Sequence, residues 1–387
     1  MIFPNPYTPG AGDRPRALVG RYDQLALAQS IRGQIEAGYS ANSLVYVGLR
    51  GVGKTVLLKE VSSRLSQVGW YAPYLEMRRN LPVDQALAEV AERFAHLLPA
   101  TGKLKRQVGK LLRRGGGLQV LGSGANMGPG RTPASYADLS HVLEALARAA
   151  REDGVGVALV VDELQSLSKT NLGALIHLVQ DLRDRLPFAF IGAGLPHLPA
   201  YISKAATYAE RFRYEPTDNL GEQESRAAVV EPALAEGATW EDDALDQVVE
   251  VAQGYPYFLQ LYAFESWEVA GRHEKVVKVS SDSVKVALPI VGRQIETGIY
   301  AARFHQATEA ERRYLFAMLD LMAAEGVGQV RSGDVARELN RELSAVSPTR
   351  DNLIRKGVIH SPEHGALAFS VPGFQEYVEG RRLDEGP

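Results

Sequence analysis

The sequence predicts an α/β fold: a parallel sheet, then an all-helical segment, then three helices and a hairpin at the C-terminus. Three observations carry this expectation. A glycine-rich octapeptide, Gly48-Leu49-Arg50-Gly51-Val52-Gly53-Lys54-Thr55, stands between a short apolar run, Ser43 to Val47, and helical periodicity that begins at Val56. An uninterrupted apolar run from Val155 to Val161 ends in Asp162-Glu163, as strands buried on both faces of a parallel sheet do. Residues 220–300 then show apolar positions at helical spacing alone.

A chain of 387 residues has the length for two or three domains with a sizeable core. Its 43 Lys+Arg face 46 Asp+Glu, a formal net charge of −3, so any contact with nucleic acid must come from local patches. There is no cysteine, which excludes disulfides, zinc ribbons and thiol catalysis. The eight histidines are scattered and none has metal-ligand spacing. No apolar run approaches membrane-spanning length, and the expected location is the cytoplasm.

Residues 1–17 are rich in Pro and Gly and read as an extended arm. Leu18-Val19-Gly20-Arg21 then leads into an amphipathic helix through Leu25, Leu27, Ile31 and Ile35. The octapeptide fits G-x-x-x-x-G-K-[ST], the P-loop. Its glycines turn backbone N–H groups toward phosphate oxygens, and the following helix N-terminus adds partial positive charge. Gly48, Arg50, Gly51, Val52, Gly53, Lys54, Thr55 and Val56 are therefore candidate nucleotide contacts. With ATP or ADP as the nucleotide, Lys54 reaches the β-phosphate and, in ATP, the γ-phosphate, and the Thr55 hydroxyl ligates Mg²⁺.

Trp70 to Met77 reads as a second strand, and Pro82-Val83-Asp84 opens a helix to about Leu98. Residues 101–131 hold seven Lys/Arg, Arg113 and Arg114 among them, with no acid and a Gly-rich second half. Two readings stay open there: a mobile solvated insertion, or a basic loop that meets a phosphate backbone. A helix from about Ala137 to Arg151 precedes the acid-ended strand. Asp162 at the strand's carboxyl end falls beside the P-loop, where it would enter the Mg²⁺ shell. Glu163 is placed to orient and deprotonate the attacking water. A helix over Asn171 to Arg185 and a strand over Phe188 to Ile191, ending in Gly192-Ala193-Gly194-Leu195-Pro196, follow.

Glu222 to about Leu234 forms a helix, and Thr239-Trp240-Glu241-Asp242 reads as a capping start for the next. Gly254 can end one helix and Pro256 begin another. Ser280 to about Phe304 gives a further helix or helix pair. Thr308-Glu309-Ala310-Glu311 is a capping box, followed by helices over Ser332 to Leu339 and from Ser347-Pro348 to Gly357. Val358 to Val371 reads as a hairpin, completing a winged-helix pattern. The third helix carries Arg350, Arg355 and Lys356, candidate contacts to duplex DNA; packing against protein is the alternative use of such a module.

With these motifs in place, the chain resembles prokaryotic P-loop ATPases on the border of the AAA+ initiator-like and STAND/archaeal-ATPase groups. The resemblance implies a core at 18–218 with the insertion 101–131, a helical lid at 219–302 and a winged-helix domain at 303–387. It implies that Val19, Gly20 and Arg21 close over adenine and that Pro256, in Gly254-x-Pro256, packs against it from the lid. Arg211, just before the last sheet strand, corresponds by position to an arginine finger, and self-association through the ATP site goes with that role. An exposed arginine paired to local acids is the other reading of Arg211. The strand-end sensor position of these ATPases is glycine and alanine here, with His197 the nearest polar side chain. The resemblance implies an ATP-hydrolysing switch acting on DNA, or a STAND-type signalling or defence switch acting on a protein partner. A small-molecule kinase is a third and weaker reading.

Overall fold

The structure is a computed structural model, and it describes residues 4–10, 12–77, 143–144, 147–148, 150–206, 210–271, 276–363 and 365–385. The helix expected at 82–98 and the basic insertion with Arg113 and Arg114 lie outside the described residues. Packing divides the chain into two compact units. One joins Met1–Gly20, Leu49–Gly53 and Thr217–Pro387; the other joins Arg21–Gly48 and Lys54–Pro216.

The second of these contains a five-stranded sheet: β1 (Leu44–Val47), β2 (Tyr74–Glu76), β3 (Val157–Asp162), β4 (Phe188–Gly194) and β5 (Arg213–Pro216). Its order is β2-β3-β4-β1-β5 and every pairing is parallel. Helices α1 (Tyr22–Glu36), α2 (Lys54–Gln67) and α3 (Lys169–Arg183) pack on it. Every residue of β3 and β4 is buried, which explains why both read as unbroken apolar runs. Because β4 lies between β1 and β3, the ends of these strands bring Val47, Asp162 and Gly194 to one edge. The register pairs Val47 with Gly194 and Val161 with Gly192. Strand β2 is shorter than the expected 70–77. Pro73 has no N–H to give a ladder, and Tyr71 makes only an isolated bridge to Val157.

The other unit begins with the N-terminal segment. Its described residues form no helix or strand before Tyr22, and they enter a core. Tyr7 is 1% exposed, its hydroxyl donates to the Val229 carbonyl at 2.6 Å and it accepts from Trp240 Nε1 at 2.9 Å. A short helix α4 (Leu198–Ser203) belongs to the sheet unit. Here follow α5 (Glu222–Ala235), β6 (Thr239–Trp240), α6 (Asp242–Ala252), α7 (Pro256–Ala270), β7 (Lys278–Val279) and α8 (Ser281–Ile295). The expected cap at Thr239 is instead strand β6, paired with β7. Buried Trp240 anchors that strand, and Glu241 precedes α6 without a side-chain cap bond. A π-helical turn, Glu296–Tyr300, joins α8 to α9 (Ala301–His305).

The C-terminal elements are α10 (Glu309–Glu325), β8 (Val330–Arg331), α11 (Ser332–Glu338), α12 (Leu343–Lys356), β9 (Ile359–His360), β10 (Ala366–Phe369) and α13 (Phe374–Glu385). The three strands form an antiparallel sheet in the order β8-β10-β9. The capping box of Thr308 and Glu311 is present. Helix α12 starts at Leu343, ahead of the expected Ser347, and holds Pro348 within it. Its buried residues Val346 and Leu353 lie two turns apart on one face, and packing that face offsets the backbone bond lost at the proline. Among the described residues, no helix is long and apolar enough to cross a membrane.

Candidate nucleotide site

The loop after β1 is shaped by its glycines. Gly51 and Gly53 have φ of 86° and 92°, a region that side chains other than glycine's rarely enter. Gly48 N–H donates to the Gly194 carbonyl at 3.1 Å, which ties the start of the loop to the end of β4. Lys54 opens α2 and is 6% exposed, and its Nζ donates to the Gly48 carbonyl at 2.9 Å. Val52 is buried, and Val56 is partly exposed in the first turn of the helix.

Asp162, at the end of β3, is 1% exposed. Its Oδ2 accepts from Thr55 Oγ1 at 2.6 Å and from the Tyr74 hydroxyl at 3.1 Å. Its Oδ1 accepts the Glu163 N–H at 2.8 Å. The two residues expected to share a metal are therefore in contact. Thr55 Oγ1 and Asp162 Oδ2 are hard oxygen donors and fit Mg²⁺, which takes few protein ligands and keeps several waters. Burial and the negative charge of Asp162 push the Tyr74 phenol far up, so it stays a hydrogen-bond donor to the carboxylate. Glu163 adopts the left-handed conformation, φ 55°, at the start of a 3₁₀ turn over Leu164–Ser166. Gln165 Nε2 donates to Glu163 Oε2 at 2.5 Å.

In the other unit, two further predicted elements converge on Leu220. Gly20 has φ +66°, and a Cβ there would lie 2.7 Å from Leu220 Cδ2. Gly254 has φ +70°, a Cβ there would lie 2.1 Å from the Leu220 carbonyl oxygen, and Leu220 N–H donates to the Gly254 carbonyl at 2.8 Å. Val19 is buried beside Gly20, and Pro256 is the first residue of α7. Between Gly254 and Pro256, the Tyr255 hydroxyl donates to the Arg50 carbonyl at 2.7 Å. A Cβ at Gly51 would meet that hydroxyl oxygen at 1.9 Å. Arg303 is hydrogen-bonded to Tyr255 and donates to the Gly357 carbonyl at 2.9 Å. Burial holds its guanidinium below the ordinary arginine range.

The remaining predicted residues are more dispersed. Arg21 is buried at the N-cap of α1. Arg211 is exposed, just ahead of β5. Arg350 pairs with Asp351 at 2.8 Å, and Arg355 is exposed and bonds Asn352. Lys356 is turned inward: its Nζ contacts Glu311 Oε2 at 2.5 Å and the Gln306 carbonyl at 2.7 Å. His197 is the N-cap of α4.

Three residues of these networks escaped the sequence reading: Tyr74, Gln165 and Tyr255. Tyr74 read as one more apolar strand residue, and Tyr255 occupies the unspecified position of Gly-x-Pro. For Gln165 a signal existed. A strand end with no side chain larger than a methyl group, Gly192-Ala193-Gly194, leaves room that a neighbouring element must fill.

Comparison with known proteins bears on this geometry. Residues 17–191 match the family model described as AAA ATPase domain. Residues 297–378 match a Domain of unknown function (DUF8462). Comparison with curated proteins found no match. Among solved structures, the chain is similar to the Orc1 protein of Aeropyrum pernix in complex with DNA. That likeness has a TM-score of 0.48 and 16% identity, and covers 96% of this chain and 94% of that one. Cdc6p from Pyrobaculum aerophilum gives 0.48 and 15%, covering 97% of each chain. The Thermotoga maritima RuvB Holliday junction branch migration motor gives 0.45 and 17%, covering 92% and 95%.

Proposed function

We propose that this chain, which carries an AAA ATPase domain over residues 17–191, is an ATP-binding and ATP-hydrolysing switch that acts on duplex DNA. The observation that carries the nucleotide part is the contact of Thr55 Oγ1 with Asp162 Oδ2 at 2.6 Å, with Glu163 next in the chain. Loop N–H groups from Gly48 to Thr55 bind the phosphates. Lys54 Nζ exchanges the Gly48 carbonyl for phosphate oxygens. Thr55 and Asp162 hold Mg²⁺, which when bound neutralises phosphate charge. Glu163 orients the attacking water and takes its proton, and Arg211 of a second copy stabilises charge on the γ-phosphate. Val19, Gly20, Arg21 and Pro256 receive the adenine. Arg350 and Arg355, with Arg113 and Arg114, contact DNA phosphates.

The test is phosphate release together with binding of a fluorescent ATP analogue. Lys54→Ala is expected to lose binding and turnover together. Glu163→Gln is expected to bind normally while turnover falls by about 10²-fold or more. Wild-type turnover in Glu163→Gln would overturn the assignment of the base.

A second reading is favoured by one observation. Lys356 is spent on Glu311 and Arg350 is paired with Asp351, so α12 offers little unmatched charge. On this reading the winged helix packs against protein and the nucleotide controls a protein partner, as in STAND-type switches. An ATP-dependent change in mass or protease sensitivity, without duplex binding, would select it.

A further inference from the structure

Gln165 lies in the turn Leu164–Ser166, and its side-chain amide faces two partners. Nε2 donates to Glu163 Oε2 at 2.5 Å, and Oε1 accepts the Leu195 N–H at 3.3 Å. A backbone N–H can only donate and an ionised carboxylate can only accept. The amide therefore has one satisfying orientation: oxygen toward Leu195 and nitrogen toward Glu163.

Leu195 directly follows β4, and the strand's end is built around this amide. A Cβ at Gly194 would lie 2.6 Å from Gln165 Oε1 and 2.5 Å from Leu198 Cδ2. A Cβ at Gly192 would lie 2.5 Å from Leu164 Cδ1, and Leu164 is fully buried. The glycines thus admit the Leu164–Gln165 turn onto the strand end. The turn is closed by Ser166 N–H donating to the Glu163 carbonyl at 2.8 Å. Glu163 itself pays a left-handed φ of 55°, a conformation that costs about 1–3 kcal/mol and persists only where surroundings impose it.

We infer that Gln165 is the positioning residue for Glu163, linking its carboxylate to the end of β4 and supplying the polar group that this strand end lacks. The inference rests on Glu163 being the base for ATP hydrolysis. An unrestrained glutamate samples many rotamers, and fixing it lowers the entropy lost on reaching the reactive geometry. The amide donates to Oε2 and so sets the plane and direction of the carboxylate. Gln165 does not touch the reacting atoms, so its loss acts on kcat with nucleotide affinity left in place.

The experiment uses the full chain and four proteins beside the wild type: Gln165→Met, Gly194→Ala, Glu163→Gln and the Gln165→Met/Glu163→Gln double variant. Methionine keeps the length of the side chain and removes both hydrogen bonds. Gln165→Met is expected to lower kcat about tenfold to a hundredfold, with KM for ATP and analogue binding within about twofold of wild type. Gly194→Ala displaces the amide while leaving residues 163 and 165 intact, and should give the same split, with thermal melting confirming that it folds. In the Glu163→Gln background, Gln165→Met should lower turnover no further, because the two residues act as a unit. Wild-type kcat in Gln165→Met beside a dead Glu163→Gln overturns the inference and spares the base. Loss of ATP binding parallel to kcat in Gln165→Met also overturns it, since that marks a structural residue. Unchanged turnover in Glu163→Gln removes the base, and the positioning role falls with it.

Discussion

Gly254 is the residue at which the turn before α7 is most exposed to a single methyl group. Its φ is +70°, and a Cβ would approach the Leu220 carbonyl oxygen to 2.1 Å, a backbone atom with no flexible side chain to swing aside. Gly254→Ala is expected to destabilise the protein by about 1–3 kcal/mol, read as a lower Tm. Gly292 is the internal control. It lies in α8, an added Cβ meets nothing within 4 Å, and Ala there should stabilise by up to about 1 kcal/mol. Equal melting of the two variants would refute the steric account. At this scale, legibility followed sequence separation. The octapeptide and Asp162-Glu163 were readable because their chemistry demands particular residue types in one contiguous stretch. Tyr74 reaches Asp162 across 88 positions and Gln165 reaches Leu195 across 30. No local pattern names the partner of Tyr74, and for Gln165 the signal is indirect, the room left by Gly192-Ala193-Gly194.

Among the elements, α10 and α12 are joined by a charge pair whose pH dependence has a definite sign. Glu311 Oε2 accepts the Thr308 N–H at 2.7 Å and contacts Lys356 Nζ at 2.5 Å. Burial raises the Glu311 pKa, but the Lys356 ammonium and the Thr308 hydrogen bonds outweigh it and hold the carboxyl below its ordinary 4.5. A folded-state pKa lowered in this way adds stability above the unfolded value and loses it as pH falls through the folded one. Thermal melting from neutrality to below 4.5 should therefore show a steeper loss for the wild type than for Glu311→Gln. At neutral pH the variant should be less stable by about 1.5–3 kcal/mol, the range for hydrogen bonds to a charged group. Parallel melting curves would refute the pair's contribution. The capping box at Thr308 was legible because its residues sit three apart. Helix α13 was not: its buried side, Phe374, Tyr377 and Val378, is embedded in charged residues that blur the period. The burial of Tyr7 also had no local signal, since Pro- and Gly-rich sequence reports backbone preference and not the Val229 and Trp240 partners.

For the whole molecule, charge decides how the proposed DNA reading can be tested. With 43 basic and 46 acidic residues, nonspecific attraction from net charge is ruled out as a source of affinity. Binding must come from a few local cations, and each phosphate neutralised adds about −0.9 to the slope of log K against log salt. If Arg113, Arg114, Arg350 and Arg355 each neutralise one phosphate, the slope is about −3.6. Replacing Arg350 and Arg355 by Ala should lower its magnitude by about 2, and replacing Arg113 and Arg114 should do the same. Lys356 is the discriminating control. Because its ammonium is held by Glu311 and Gln306, Lys356→Ala should leave the slope unchanged while lowering Tm. Titrations of duplex DNA at several salt concentrations, with and without ATP, read all of these together. A slope near zero, or no duplex binding at low salt, would reject DNA as the target and leave the protein-partner switch. A Lys356 effect as large as that of Arg355 would show that α12 meets phosphate with its inward edge, which the Glu311 pair forbids unless the two helices separate.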